Sequence, residues 1–191
     1  MNTDPHPHHR RSIRLRGYSY SSPGAYFVTI CTWAKDCLLG SIRNHEMHLI
    51  PCGQIVKEEW FRSASIRKEI QLDSYTIMPN HLHGIVVLTE NNVPQPPLAT
   101  SKSEVQTDTL IQKGPATRSL GSFIAGFKSS TTKRINGLRG TPGIPVWQRN
   151  YYEHIIRNAQ SFDKIRLYID ENPLRWEADS YYNQSAGKSR G

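Results

Sequence analysis

The sequence has few cysteines and no long apolar segment. Cys31, Cys37 and Cys52 are odd in number and form no CxxC pair, so neither a disulfide framework nor a zinc ribbon is predicted. No segment approaches the roughly 20 apolar residues that a membrane span needs, and "MNTDPHPHHRRSIRLRGYSY" at the N-terminus lacks the apolar region of a secretion signal. We therefore expect a soluble, non-exported protein of the reducing cytoplasm.

Acidic residues are also scarce. The 191-residue chain has 24 Lys and Arg against 16 Asp and Glu, a net charge of +8, and its pI is about 9.5. No acidic residue occurs between Asp108 and Glu153, and the basic residues of that stretch are Lys113, Arg118, Lys128, Lys133, Arg134, Arg139 and Arg149. Any one of them could lie on a solvent-exposed face and merely keep the protein soluble. The stretch as a whole favours a polyanionic partner such as a phosphate backbone.

The length and the 37% hydrophobic content suit one domain with a core of its own. We assign residues 25–176 to that domain, residues 1–24 to a basic flexible arm and residues 177–191 to a C-terminal tail. Residues 90–117 carry prolines and show neither helical nor strand periodicity, which predicts a long loop or an insertion.

Hydrophobic periodicity predicts an α+β fold. Strands are expected at residues 25–33, 70–78 and 81–88. Residues 38–42 and 46–50 are expected to pair either with the first of these strands or with each other as a hairpin. Helices are expected at residues 52–67 and 118–136, and from about residue 161 to just before Pro173. Residues 146–158 are ambiguous between strand and loop. This order favours an antiparallel sheet with helices packed on one face.

Two histidines interrupt the apolar stretch "MPNHLHGIVVL". His81 and His83 lie two positions apart on a predicted strand, so both side chains project from the same face. Two imidazoles on a stiff strand can hold a divalent metal. The alternative is that one caps a turn after Pro79 and the other is a hydrogen-bonded core residue.

A second pair of polar residues falls on the last predicted helix. Tyr168 and Asn172, in "KIRLYIDENPLRW", are four residues apart, so their side chains are neighbours on one helix face. Taken singly, a boundary tyrosine and an asparagine before Pro173 have ordinary structural explanations.

Together, "MPNHLHGIVVL" and "YIDENP" resemble the motifs of the HUH single-tyrosine transposases, specifically the group associated with repetitive extragenic palindromes (REP). "GAYFVTICT", "FIAGFKSSTTKRIN" and "VWQRNYYEHIIRN" also follow that group's order, so the resemblance covers residues 24–176. Larger insertion-sequence relatives carry Gln four residues after the tyrosine, whereas this group carries Asn, as at Asn172.

The resemblance implies a ferredoxin-like antiparallel sheet with the HUH motif on a central strand. It implies that His81 and His83, with Asn172 as a third ligand, hold Mg²⁺ or Mn²⁺, which polarises a scissile phosphate. Tyr168 would be the catalytic nucleophile that cleaves single-stranded DNA beside a hairpin and forms a 5'-phosphotyrosine link. By the same resemblance the protein would work at the nucleoid, as a monomer or homodimer.

Phosphate contacts are expected from the N-terminal arm and the basic second helix, at Arg10, Arg11, Arg14, Arg16, Arg118, Lys128, Lys133 and Arg134. Tyr151 and Tyr152 are rival nucleophiles on sequence grounds, and for them we favour packing or base stacking.

Two other functions stay open from the sequence. The chain could be a catalytically idle protein that binds hairpin DNA without cutting it. It could also be a metal-dependent nuclease that uses activated water and forms no covalent adduct.

Overall fold

The computed structural model describes residues 22–90 and 117–182. Nearly all of the predicted basic arm, nearly all of the predicted 90–117 loop and the end of the predicted tail lie outside these ranges. The elements, in chain order, are β1 Gly24–Cys31, β2 Gly40–Arg43, β3 Glu46–Leu49, α1 Pro51–Ser65, β4 Ile70–Met78, β5 His81–Leu88, α2 Leu120–Arg139, β6 Tyr152–Ile156 and α3 Ala159–Glu171.

Four strands form one antiparallel sheet in the order β4-β5-β1-β6, and β2 pairs with β3 in a separate hairpin. The predicted α+β class is therefore confirmed, with the HUH motif on β5, one of the two central strands. The ambiguous segment 146–158 supplies β6, which pairs with β1 at the sheet edge. β1 is shorter than predicted, because Trp33 belongs to a 3₁₀ turn, Trp33–Lys35.

The two faces of the sheet carry separate apolar clusters. Tyr26, Val28 and Ile30 on β1 join Leu82 and Val86 on β5 in the larger core, which α1 and α2 cover. The alternate positions, including Phe27 and Ile85, pack with Ile169 of α3 on the opposite face. The expected packing on one face thus holds for α1 and α2, whereas α3 packs on the other face. Successive residues of a strand point to opposite faces, and here both sets are apolar, so both faces of the sheet need a helix to cover them.

Local sequence signals set the helix ends. Pro51 begins α1, where its missing N–H costs nothing. Ser119 and Ser122 exchange hydrogen bonds in a capping box at the start of α2, and Gly140 ends that helix in the left-handed region at φ 62°. The Asn158 side chain accepts a hydrogen bond from the Ser161 N–H and caps α3.

Within the described residues, every helix is too short or too polar to cross a lipid bilayer.

Candidate active site

The face covered by α3 presents the two histidines. His81 and His83 are buried, and His83 lies opposite Thr29 in the β1–β5 register. On the other face, Gly84 leaves room for the indole of Trp60, because a Cβ at this position would lie 2.7 Å from the ring. Close packing on that side fixes the strand that carries the histidines.

The imidazoles face each other through their Nε2 atoms, which are 3.0 Å apart. Asn80 donates through its amide nitrogen to two backbone carbonyls, so its Oδ1 accepts from the His81 Nδ1–H at 2.8 Å. His81 therefore presents a lone pair at Nε2. Thr29 Oγ1 lies 2.8 Å from His83 Nδ1, and its rotating hydroxyl can serve either tautomer of His83.

Both imidazoles are neutral at pH 7. Burial is the main cause that lowers the pKa of His81, with the charge of Lys35 next. Burial also lowers the pKa of His83, and the neighbouring His81 adds to the effect. A neutral imidazole is the form that binds a metal, so this burial favours a ligand role.

Tyr168 reaches the same point from α3. Its hydroxyl lies 3.3 Å from His83 Nε2, and its ring meets the Phe27 ring edge-on. The side chain is 41% exposed, so solvent and a substrate can reach it. Burial of the remainder is the main cause that raises the pKa of its phenol, followed by the Asp179 carboxylate.

An ion pair ties α3 to the edge strand. Arg166 donates two hydrogen bonds to Asp73, at 2.7 and 2.6 Å, and Asp73 lies where β4 shifts register. Hydrogen bonding from Arg166 is the main cause that lowers the pKa of Asp73. Arg166 lies two residues before Tyr168 on α3, so its ion pair with Asp73 helps to fix the position of the tyrosine along the sheet.

Asn172 is buried just past the end of α3. Among the described residues, its Oδ1 has no hydrogen-bond partner. An unsatisfied buried carbonyl costs free energy, which a bound cation or substrate group would recover.

The C-terminal segment completes the arrangement with Asp179. Its side chain is only 4% exposed, and Oδ2 lies 3.9 Å from His81 Nε2. One ligand atom from each of His81, His83 and Asp179 falls within 4.8 Å of the others. These three residues therefore form a group that could hold a divalent metal.

The donor set suits such an ion. Two cis ligands at a metal–nitrogen distance near 2.1 Å are separated by about 3 Å, which matches the two Nε2 atoms. An imidazole pair with a carboxylate and an amide oxygen is compatible with several divalent metals, Mn²⁺ among them. Beside these donors, a cavity of about 370 Å³ is bordered by Tyr168, Asn172, Arg175 and Asp179.

One curated protein is a clear relative of this chain. The chain is 42% identical over 180 residues to an uncharacterized protein of Haemophilus influenzae, covering 92% of this chain and 94% of that one. The chain belongs to the family of that Haemophilus protein. No protein-family model matches the sequence.

Solved structures identify the fold. A REP-associated tyrosine transposase bound to a REP hairpin superposes with a TM-score of 0.55 at 18% identity, over 87% of this chain and 74% of that one. This chain has the fold of the REP-associated tyrosine transposase. A candidate transposase of Deinococcus radiodurans R1 gives a TM-score of 0.40 at 13% identity, over 82% of this chain and 95% of that one, which is too low to establish a shared fold. The motif resemblance is thus confirmed at the level of the fold.

On this transposase fold, the predicted tyrosine, histidine pair and asparagine come together at one point. Asp179 was not predicted from the sequence, and neither were Thr29 and Asn80, which orient the imidazoles. Tyr181 was not predicted either; its ring centroid lies 4.7 Å from that of His81, and burial raises the pKa of its phenol to about 12. Residues 177–182 belong to the predicted tail, and no period or spacing in them indicates a contact with β5.

The rival tyrosines point to opposite faces of the sheet. Tyr151 packs against the larger core, with Lys128 Nζ 5.5 Å from its ring centroid. Tyr152 is exposed on the Tyr168 face and meets the Phe27 ring edge-on. Tyr168, by comparison, brings its hydroxyl to 3.3 Å from His83 Nε2.

The predicted phosphate contacts divide into three kinds. Arg10, Arg11, Arg14 and Arg16 lie outside the described residues. Arg118 and Lys133 are exposed. Lys128 donates to the carbonyls of residues 148–150, and Arg134 pairs with Glu58 and Glu59 of α1. The last two charges are therefore engaged within the protein.

Proposed function

We propose that the protein is a metal-dependent single-stranded DNA endonuclease and strand transferase that uses Tyr168 as its nucleophile. The observation that carries this proposal is the position of the Tyr168 hydroxyl, 3.3 Å from His83 Nε2 at the edge of a cavity. An exposed phenol beside a buried, neutral imidazole pair places a nucleophile next to groups that can hold a metal ion at a bound phosphate.

In the proposed reaction, Tyr168 Oη forms a bond to phosphorus and the bond from phosphorus to the 3'-oxygen breaks. The phenolic proton is lost and the leaving oxygen gains one, so the products are a 5'-phosphotyrosine and a free 3'-hydroxyl. The reaction is close to isoenergetic, because one phosphodiester replaces another. A second strand's 3'-hydroxyl can therefore reverse it without ATP.

We assign His81, His83, Asn172 and Asp179 to holding a divalent ion, Mg²⁺ or Mn²⁺. When bound, such an ion supplies charge stabilisation at the phosphate. The chain's own residues do the positioning: Asn80 and Thr29 fix the imidazole planes, and Phe27 supports the Tyr168 ring.

A DNA partner is supported by two independent features. The REP-associated transposase with this fold is bound to a REP hairpin. The acid-free stretch between Asp108 and Glu153 also exposes Arg118, Lys133, Arg139 and Arg149, which supply positive charge for a phosphate backbone. We propose that the substrate is single-stranded DNA beside a hairpin and that the protein acts on it at the nucleoid.

The test mixes the full chain with end-labelled hairpin DNA and Mn²⁺ and resolves covalent adducts on a denaturing gel. The wild type should give a protein-linked band, and both Tyr168→Phe and His81→Ala should abolish it. Tyr152→Phe is the matched control, because it removes a hydroxyl from the same face and should keep the band.

Each other outcome favours a different function. Cleavage without an adduct that survives Tyr168→Phe would indicate a nuclease that uses water. Tight hairpin binding with neither cleavage nor adduct, across several metals, would indicate a protein that binds without cutting.

A further inference from the structure

A groove of about 790 Å³ lies between the C-terminal half of α2 and residues 142–149. α2 packs on the sheet face opposite to the one that α3 covers. The groove is therefore separate from the cavity at Tyr168, and the roles proposed above leave it unused.

Hydrogen bonds hold both walls of the groove in place. Asn136 donates through its side chain to the Ile144 carbonyl at 2.8 Å. The Trp147 indole N–H donates to Thr131 Oγ1 at 2.7 Å. Lys128 Nζ donates to the Gln148 and Asn150 carbonyls at 2.9 and 3.0 Å. A groove formed in this way needs little ordering to accept a ligand.

The lining combines an apolar floor with a basic rim. Val146 and Trp147 form part of the floor, and Ile144 is 48% exposed at its edge. Lys133 and Arg149 are exposed on the rim, and none of the described residues that line the groove is acidic. A flat neutral ring linked to a negatively charged group fits this lining, and a nucleotide combines the two as a base and a phosphate.

The backbone links the groove to the histidine pair. Gln148 N–H donates to the Cys31 carbonyl at 2.9 Å, and Trp147 forms an isolated bridge with Thr32. Cys31 in turn lies opposite His81 in the β1–β5 register. Only β1 separates the backbone of the groove wall from β5, a distance of about 10 Å for two strand spacings. The groove and the histidines are thus close in the plane of the sheet but open on opposite faces, so a DNA strand that joins them would pass around the edge of the sheet.

We propose that this groove binds an unpaired segment of the DNA substrate, with a base against the exposed Ile144 and Pro145 and phosphates at Lys133 and Arg149. The inference rests on the proposed function, since it takes DNA as the partner. It adds a binding site for the single-stranded flank, on the far side of β1 from the histidines.

The test measures equilibrium binding by fluorescence anisotropy in the Tyr168→Phe background, which keeps binding non-covalent. Two labelled hairpins are compared, one blunt and one with a single-stranded flank. The double variant Ile144→Ser/Arg149→Ala should weaken binding of the flanked hairpin by about tenfold and leave that of the blunt hairpin unchanged. The matched control is Ile66→Ser/Arg43→Ala, which changes an exposed isoleucine and an exposed arginine elsewhere. Thermal melting of both variants checks that they fold.

Unchanged affinity for the flanked hairpin, or equal losses for the two hairpins, would overturn the groove assignment. So would tighter binding of an RNA strand of the same sequence as the flank. The Tyr168 adduct, measured in parallel on the wild type, separates the two proposals. An adduct with no effect of the groove variant rejects the groove alone, and a groove effect with no adduct rejects the cleavage mechanism alone.

Discussion

At the residue scale, the candidate centre depends on groups whose bonding is incomplete within the chain. Asn172 Oδ1 is buried without a partner among the described residues, and the Asp179 carboxylate is held near His81 Nε2 at 3.9 Å. The Tyr181 N–H donates to Asp179 Oδ1 at 2.7 Å, which leaves Oδ2 as the oxygen that faces His81. A cation shared by Asp179 Oδ2, Asn172 Oδ1 and the two imidazoles would account for both oxygens.

Asp179→Asn should therefore weaken Mn²⁺ binding by at least about tenfold, because a neutral amide replaces an anionic ligand. The asparagine keeps the oxygen that accepts from the Tyr181 N–H, so the local turn is preserved. Free Mn²⁺ can be followed by electron paramagnetic resonance during titration. Asp170→Asn is the matched control, since Asp170 is exposed on α3. Equal Mn²⁺ affinity in the two variants would remove Asp179 from the ligand set.

Sequence spacing predicted some of these residues and could not predict others. His81 with His83, and Tyr168 with Asn172, follow from the two-residue and four-residue repeats of a strand and a helix. Thr29 depends on the register between β1 and β5, which pairs residues fifty or more positions apart. Asp179 follows a 3₁₀ segment, Asn172–Ala178. The sequence of such an irregular segment has no hydrophobic period, so it does not predict where the next side chain will lie.

At the element scale, β5 is fixed from the face opposite the histidines. Gly84 lies under the Trp60 indole, which also meets Phe123 and Phe127 edge-on. The absence of a side chain at residue 84 lets α1 approach the sheet. The position of His83 and the packing of the larger core are thus linked through one glycine.

Gly84→Ala should destabilise the fold by about 1 to 3 kcal/mol, because the new methyl group would meet the Trp60 ring at 2.7 Å. Gly137→Ala on α2 is the matched control. A Cβ there meets nothing within 4 Å, so it should stabilise the fold by about 0.5 to 1 kcal/mol through helix propensity. Urea denaturation measures both changes. Equal changes in the free energy of unfolding for the two variants would show that α1 can move away from the sheet to admit the new methyl group.

The order of elements was predictable from periodicity, but the face that each helix covers was not. α1, α2 and α3 are all amphipathic, and a helical stripe shows that a helix packs without showing which side of the sheet it meets. The alternation in β1, where Tyr26 and Phe27 face opposite cores, shows that both faces need cover. α3 occupies the second face, and this brings Tyr168 to the histidines.

At the scale of the whole molecule, the net charge of +8 comes from basic residues that differ in their surroundings. Some are paired within the protein, and others are exposed to solvent and can meet a ligand. Arg134 pairs with Glu58 and Glu59, and Glu59 is itself only 3% exposed. Burial lowers the pKa of Lys128 to about 8, so the ammonium form still predominates at pH 7, held by backbone carbonyls. Lys133, between them on α2, is exposed to solvent.

Neighbouring residues of α2 should therefore respond differently to substitution. Lys133→Ala should lower the salt dependence of single-stranded DNA binding by a slope of about 0.7, because one phosphate contact is lost. Arg134→Ala should leave that slope nearly unchanged and destabilise the fold by about 1 to 3 kcal/mol, because among the described residues Glu59 then keeps only Arg62, at 3.4 Å. Binding across a salt series and urea denaturation on the same two variants measure both effects. A slope that falls equally in both variants would mean that Arg134 leaves its carboxylates to meet DNA.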